Sequence, residues 1–421
     1  MPAEILFAGV RVFDGLSDTL SGPTDVLVRG RTIASIGADD PPPGPDVQRI
    51  DGAGRVLMPG LIDAHVHLAF ATVPQLVLLT ADAGYVGIAS ARAARDTLLR
   101  GFTSVRDAGG PVFGLKRAVD EGLVPGPRIW PSGAMISQTS GHGDFRMPYE
   151  VPRGILGCLS HSEVVRATAI ADGVPEVLRA TREQLMLGAS QIKIMAGGGV
   201  ASPYDPIDVA QYTADELRAA VESAANWNTY VLVHAYTPRA VQMAVRAGVR
   251  CVEHGQLLDE ETVELMAEQG TWWCLQPFLD DEDAAPIADP VGRAKLREVT
   301  AGTDRAYGLA IKHGVRVGFG SDVLFDAGLA GRQGAHLAKL ARWYSAADVL
   351  RMATSVNAEL LALSGPRNPY PGDLGVVRAG ALADLLLVDG DPLRDLGLIA
   401  TPETSFPVIV KDGVVVKNAL G

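Results

Sequence analysis

From about Gly60 to Ser364 the chain repeats one pattern, a short apolar run followed by a longer amphipathic stretch. This is the sequence form of consecutive β-α units. Eight of the short runs read as strands: Leu61–Leu68, Phe102–Asp107, Arg128–Ser132, Gln191–Ala196, Tyr230–His234, Cys251–His254, Trp272–Gln276 and Arg316–Asp322. Eight strands with helices between them point to a closed barrel. Helix starts agree: Thr213 with Glu216 and Ser345 with Asp348 form capping-box patterns, and Thr237-Pro238 is an N-cap followed by proline at the first helical position. A doubly wound open sheet is the rival, and no Gly-x-Gly-x-x-Gly turn follows the first strand to favour it.

Both ends have a different texture. Val10–Phe13, Asp25–Val28, Thr32–Ile36 and Gln48–Ile50 near the N-terminus, and Leu374–Val377, Asp384–Val388 and Pro407–Val416 near the C-terminus, read as strands separated by Gly, Asp and Pro turns. Neither set is large enough to stand alone, so residues 1–59 and 366–421 are expected to share one β-sandwich around a barrel of residues 60–365. Three segments after strands exceed what a compact barrel needs, at Gly133–Pro175, Pro277–Pro290 and Val323–Gly334, and loops in these places build active sites.

With 421 residues, 47% of them hydrophobic, the chain can fill a large core. Its net charge of -12 argues against a nucleic-acid or anionic-membrane partner and for a small-molecule enzyme. The N-terminus lacks a secretory pattern and no apolar run is long enough to cross a bilayer, so a cytoplasmic location is expected. The three cysteines, Cys158, Cys251 and Cys274, have no paired spacing and read as structural thiols.

Ionisable residues interrupt the apolar strands. His65 and His67 lie two apart on the first strand, so they face the same side and can share one metal. Lys193 sits between isoleucines, where a lone ammonium is costly; it is either paired with an acid or converted by CO2 to a carbamate able to bridge two cations. His234 and His254 end two consecutive strands, and Asp322 ends the last, where a carboxylate can ligate a metal and shuttle a proton.

Together with Pro-Gly-Leu-Ile-Asp-Ala-His-Val-His at 59–67, Ser-Asp at 321–322 and Gly-Ala-Leu-Ala-Asp-Leu-Leu-Leu-Val-Asp-Gly-Asp-Pro at 380–392, these residues make the chain resemble the amidohydrolase superfamily. The resemblance implies an α/β fold, a distorted (β/α)8 TIM barrel with a small β-sandwich from both termini. It also implies two divalent metal ions, usually zinc. His65, His67 and Asp322 would hold the more buried ion, His234 and His254 the other, and Lys193 as N6-carboxylysine would bridge them. A metal-bridging hydroxide would attack the substrate carbonyl, and Asp322 would carry its proton to the leaving amine.

His142, Tyr236 and the segment Arg367–Gly372 resemble the branch containing imidazolonepropionase-like prolidases, arginine carboxypeptidases and ochratoxin-degrading amidases. His142 and Tyr236 would there bind the substrate carbonyl or carboxylate. The leading expectation is hydrolysis of an N-acyl amino acid or dipeptide. The alternatives are a xenobiotic amidase acting on a mycotoxin amide, carbamate or urea, and a cyclic amide hydrolase of the imidazolonepropionase type. The branch also implies a closed homo-oligomer, an octamer included. From loop position alone, Arg146 and Arg332 are candidates to pair a substrate carboxylate, and Asp280, Asp281, Glu282 and Asp283 could attract a cationic side chain. His161, His313 and His336 read as ordinary surface or packing residues.

Overall fold

The computed structural model describes residues 4–37, 43–287 and 289–420. Eight parallel strands surround the centre: β1 (Leu61–Val66), β2 (Phe102–Asp107), β3 (Arg128–Pro131), β4 (Ile192–Met195), β5 (Val231–Ala235), β6 (Cys251–His254), β7 (Trp272–Leu275) and β8 (Val317–Phe319). Every residue of all eight is buried, which is why they read as continuous apolar runs rather than alternating ones.

The barrel is distorted at two seams. Hydrogen-bonded ladders run from β1 to β3 and from β4 to β8. Between β3 and β4, Met135–Ser137 and Thr168–Ile170 add two parallel strands beside β4, inside the long segment after β3. Both are three residues long, too short to show in the sequence pattern. At the other seam Asp322 N donates to His65 O at 2.9 Å. Asp63 Oδ1 reinforces it by accepting from both His65 N and Ser321 N, at 3.0 Å each.

The chain ends form one eight-stranded sheet. Its order is Val414–Asn418, Val408–Lys411, Leu385–Val388, Val56–Pro59, Glu4–Val12, Thr24–Arg29, Thr32–Ile36, with Gln48–Asp51 paired to Glu4–Val12 off this path. Glu4–Val12 serves both halves. Its register against Thr24–Arg29 shifts between Phe7 and Val10, where Gly9 has φ +65°, and beyond the bulge Arg11 and Val12 pair with Val56 and Leu57. Ile5, Phe7, Val26, Leu385 and Val408 are among the residues filling the core between the halves.

Three expectations change. Val56–Pro59 is a strand the sequence reading did not name. Leu374–Val377 joins no ladder, although Val376 and Val377 are buried. Pro407–Val416 is a hairpin, Val408–Lys411 with Val414–Asn418, turned at Gly413 with φ +72°. The helix starts at Thr213 and Ser345 are capped by their side chains, whereas Thr237 makes no capping bond and its hydroxyl is buried without a partner.

Sandwich and barrel are fastened by buried charge. Arg128 of β3 pairs with Asp384 at 2.7 Å, both nearly inaccessible, and Gly60 N donates to Asp384 O at 2.8 Å. A Cβ at Gly60 would lie 2.0 Å from Thr103 Oγ1, so no other residue fits where the chain enters β1. Tyr370, in the segment 367–372, stacks edge-on against Trp130 and accepts from Ile129 N at 3.2 Å, which fastens that segment to β3.

Candidate metal centre

His65, His67, Lys193, His234, His254 and Asp322 all line one cavity of about 860 Å³ at the carboxyl ends of the strands. His254 and Asp322 have positive φ, +73° and +47°, conformations that cost a non-glycine residue free energy and that cluster at functional sites.

The partners of the four histidines decide where their lone pairs point. His65 Nδ1 donates to Glu253 Oε2 at 2.6 Å, His67 Nδ1 to Gly109 O at 2.7 Å, and His254 Nδ1 to Gln276 Oε1 at 2.8 Å. Each acceptor is a carbonyl or carboxylate oxygen, so each neutral ring keeps its lone pair on Nε2. His234 is reversed: Nε2 donates to Gly198 O at 3.1 Å, leaving the lone pair on Nδ1.

As a result, three electron-pair donors converge without a proton between them. His65 Nε2 and His67 Nε2 are 3.2 Å apart, and Asp322 Oδ1 lies 3.3 Å and 3.4 Å from them, buried and with no hydrogen-bond partner. His65, His254 and Asp322 also offer one ligand atom each within 4.8 Å of one another. Such a donor set would hold a cation, and imidazole with carboxylate suits zinc and its neighbours. The residues therefore fit divalent metal.

Electrostatics point the same way. Burial pushes His65 and His234 well below the ordinary imidazole range and His254 down to about 4, so these rings are neutral, as ligands must be. Burial acts to raise Asp322, and positive charge placed in the adjoining His65, His67 and His254 cluster lowers it, the net direction being down. Lys193 is buried, and among the described residues its ammonium makes no hydrogen bond or ion pair. Burial moves it down, against the pull of Glu253 and Asp322.

Beneath the cluster is a network the sequence reading missed. Arg106, wholly buried on β2, donates from Nη2 to both oxygens of Glu253 at 2.7 Å and 2.9 Å, from Nη1 to Tyr230 at 3.1 Å, and from Nε to Ala64 O at 2.6 Å. Cys251 donates its thiol to Glu253 at 3.0 Å. The signal was available, a charged side chain inside an apolar strand, as at Lys193.

Around the rim, His142 stacks on His234 with ring centres 4.1 Å apart, and its Nδ1 is 2.5 Å from Ser202 Oγ and 3.6 Å from Asp205. A Cβ at Gly199 would fall 2.1 Å from that ring, which accounts for glycine in the run after Lys193. Tyr236 packs 5.2 Å from the His254 ring, and burial pushes its hydroxyl up, so it is an O–H donor. Arg146 lines the cavity, buried, with Nε on Asp144 at 2.7 Å.

Arg332 is placed differently from the expectation. It does not line the cavity, and its guanidinium is taken by Asp283 and Glu282. Lys339 holds Asp281 at 2.8 Å and Asp283 at 2.7 Å. Asp281, Glu282 and Asp283 are thus spent on protein cations, and of the four acids only Asp283 reaches the cavity wall. His161 and His313 are bound to Ala81 O and Glu260, away from the cavity. His336 lines it, buried, and among the described residues neither of its ring nitrogens has a partner.

The Amidohydrolase family pattern matches residues 56–418. The chain belongs to the amidohydrolase family. It is 31% identical over 419 residues to ochratoxinase of Aspergillus niger, covering 95% of this chain and 84% of that one. It is 25% identical over 410 residues to imidazolonepropionase of Rubrobacter xylanophilus, covering 88% and 86%. A prolidase solved in complex with N-methylphosphonate-L-proline superposes with TM-score 0.89 at 39% identity, covering 99% of this chain and 100% of that one. This amidohydrolase is accordingly a hydrolase acting on C–N bonds, with the distorted barrel and terminal sandwich of its relatives. No helix among the described residues is long and apolar enough to cross a membrane.

Proposed function

We propose that this amidohydrolase cleaves the amide bond of an N-acyl amino acid or dipeptide with two divalent ions, zinc first, held by His65, His67, Lys193, His234, His254 and Asp322. The observation that carries the reading is the proton-free convergence of His65 Nε2, His67 Nε2 and Asp322 Oδ1. Such ions polarise a carbonyl and lower the pKa of water. The Lys193 amine, its pKa lowered by burial, is suited to react with CO2, and the resulting carbamate would supply two further oxygens to the ligand set.

The remaining steps belong to the chain. Asp322, held anionic, accepts the proton of the attacking water and delivers it to the leaving nitrogen. Tyr236 and His142, both in ring contact with His234, bind the substrate carbonyl or carboxylate. Arg146 turns its unbonded terminal nitrogens to a carboxylate. We withdraw Arg332 from this set because its fork is already occupied.

The three cysteines are unpaired, which supports a cytoplasmic setting, and we propose a small-molecule amide substrate, no nucleic-acid or membrane partner, and a closed homo-oligomer. The likeness to ochratoxinase supports xenobiotic amide hydrolysis as a second reading, and that to imidazolonepropionase supports cyclic amides. Screening zinc-loaded protein against X-Pro dipeptides and N-acyl amino acids is the test: turnover there is expected, and activity confined to lactams or esters contradicts the proposal.

A further inference from the structure

The cavity wall sorts its charges unevenly. Outside the ligand set it contains three cations, Arg146, Lys295 and Lys339, and three acids, Asp283, Asp289 and Asp326. Two of the cations are spent. Lys295 donates to the carbonyls of Gly199 and Ser202 at 3.1 Å and of Asp205 at 2.6 Å, and Lys339 is paired with Asp281 and Asp283. Arg146 uses Nε alone; among the described residues its terminal nitrogens make no hydrogen bond, and Nη2 is buried without a partner.

Of the acids, one is paired with cations and two cap helix starts. Asp283 is held by Arg332 and Lys339, Asp289 accepts from Gly292 N at 2.6 Å, and Asp326 accepts from Leu329 N at 2.9 Å. The rest of the wall is largely apolar, with Phe70, Leu79, Phe145, Met147, Phe278 and Leu296 among its members. Its volume of about 860 Å³ lies near the top of the range that encloses a drug-sized ligand.

We infer that the site selects amino acids whose nitrogen carries a bulky, uncharged acyl group, over dipeptides with a free α-ammonium. The inference rests on the amide-hydrolase reading and narrows it. A carboxylate finds the open guanidinium of Arg146. An ammonium on the acyl side finds mostly apolar side chains, an Asp283 already paired with two cations, and Asp289 and Asp326 committed to helix N-caps whose dipoles offset part of their charge, so it sheds water for little return. An uncharged acyl group loses nothing on entry and fills apolar volume.

Matched substrates test this. 3-Phenylpropanoyl-L-proline differs from L-phenylalanyl-L-proline only in lacking the amino group, and the same pair is made with L-phenylalanine as leaving amine. At pH 7 the desamino member is expected to have a kcat/KM about tenfold or more higher, the effect of one unpaired polar group. The ratio should shrink above about pH 8, where the dipeptide amine loses its proton. Taking the ratio cancels the enzyme's own titrations. Arg146→Met should raise KM for 3-phenylpropanoyl-L-proline at least tenfold more than for its uncharged prolinamide counterpart. Equal or faster cleavage of the dipeptide overturns the inference alone. So does an Asp326→Asn variant that slows only the dipeptide, because Asp326 would then be an ammonium receptor. Cleavage of neither member of either pair overturns the amide-hydrolase reading and the inference with it.

Discussion

Glu253 accepts a hydrogen bond from His65 Nδ1 at 2.6 Å while both of its oxygens are held by Arg106. One carboxylate thus fixes the tautomer of a candidate ligand and neutralises a guanidinium buried in the barrel. Glu253→Gln should weaken metal retention about 10- to 100-fold, the usual effect of losing an acceptor behind a metal-bound histidine. It should also destabilise the fold by about 3–5 kcal/mol, because Arg106 is left without its counter-charge. Adding Arg106→Met should recover stability but not metal retention. Chelator competition and urea melts on both variants separate the two effects; retention restored by Arg106→Met would mean that Glu253 acts only through the ion pair.

Lys193→Ala should bind metal more weakly than the parent and regain part of it when a short carboxylic acid is added in place of the carbamate. Metal content by mass spectrometry, with and without propionate, checks this. Two ions retained as tightly as in the parent would exclude a bridging role.

Asp322→Asn should keep the barrel and lower turnover about 10²- to 10⁴-fold, as expected for removal of a proton shuttle. Steady-state kinetics at saturating zinc measures it, and near-parental kcat would remove Asp322 from proton transfer.

His336 is buried with both ring nitrogens unpartnered, and burial first, then Lys339, lowers its pKa from 6.5 to about 4. The folded state therefore binds fewer protons than the unfolded chain between these values. Its contribution to stability is present above pH 6.5 and is lost as pH falls towards 4, by an amount of about 1–3 kcal/mol. His336→Leu should flatten that part of the stability profile in urea melts at pH 7, 5.5 and 4.5. An unchanged slope would show that another group carries it.

The candidate ligands were legible because ionisable residues at the ends of apolar strands have few structural explanations, and the barrel architecture says where strand ends meet. Arg106 and Glu253 gave the same signal on their own strands, yet they lie 147 residues apart and each looks anomalous until the other is known. The fate of Asp281, Asp283, Arg332 and Lys339 was illegible for a related reason. Loop charges pair across about 50 residues through backbone paths that no periodicity encodes, so an acidic run and a free arginine looked like substrate contacts. The short strands Met135–Ser137 and Thr168–Ile170 owe their extended form to an open ladder position beside β4 and not to their own composition.

Metal reconstitution decides whether this amidohydrolase cleaves amides with two bound ions. Protein stripped with a chelator should be inactive towards 3-phenylpropanoyl-L-proline, and titration with Zn2+ should restore hydrolysis until two equivalents per chain are bound. Full activity in the stripped protein, or saturation at one equivalent, would contradict the account.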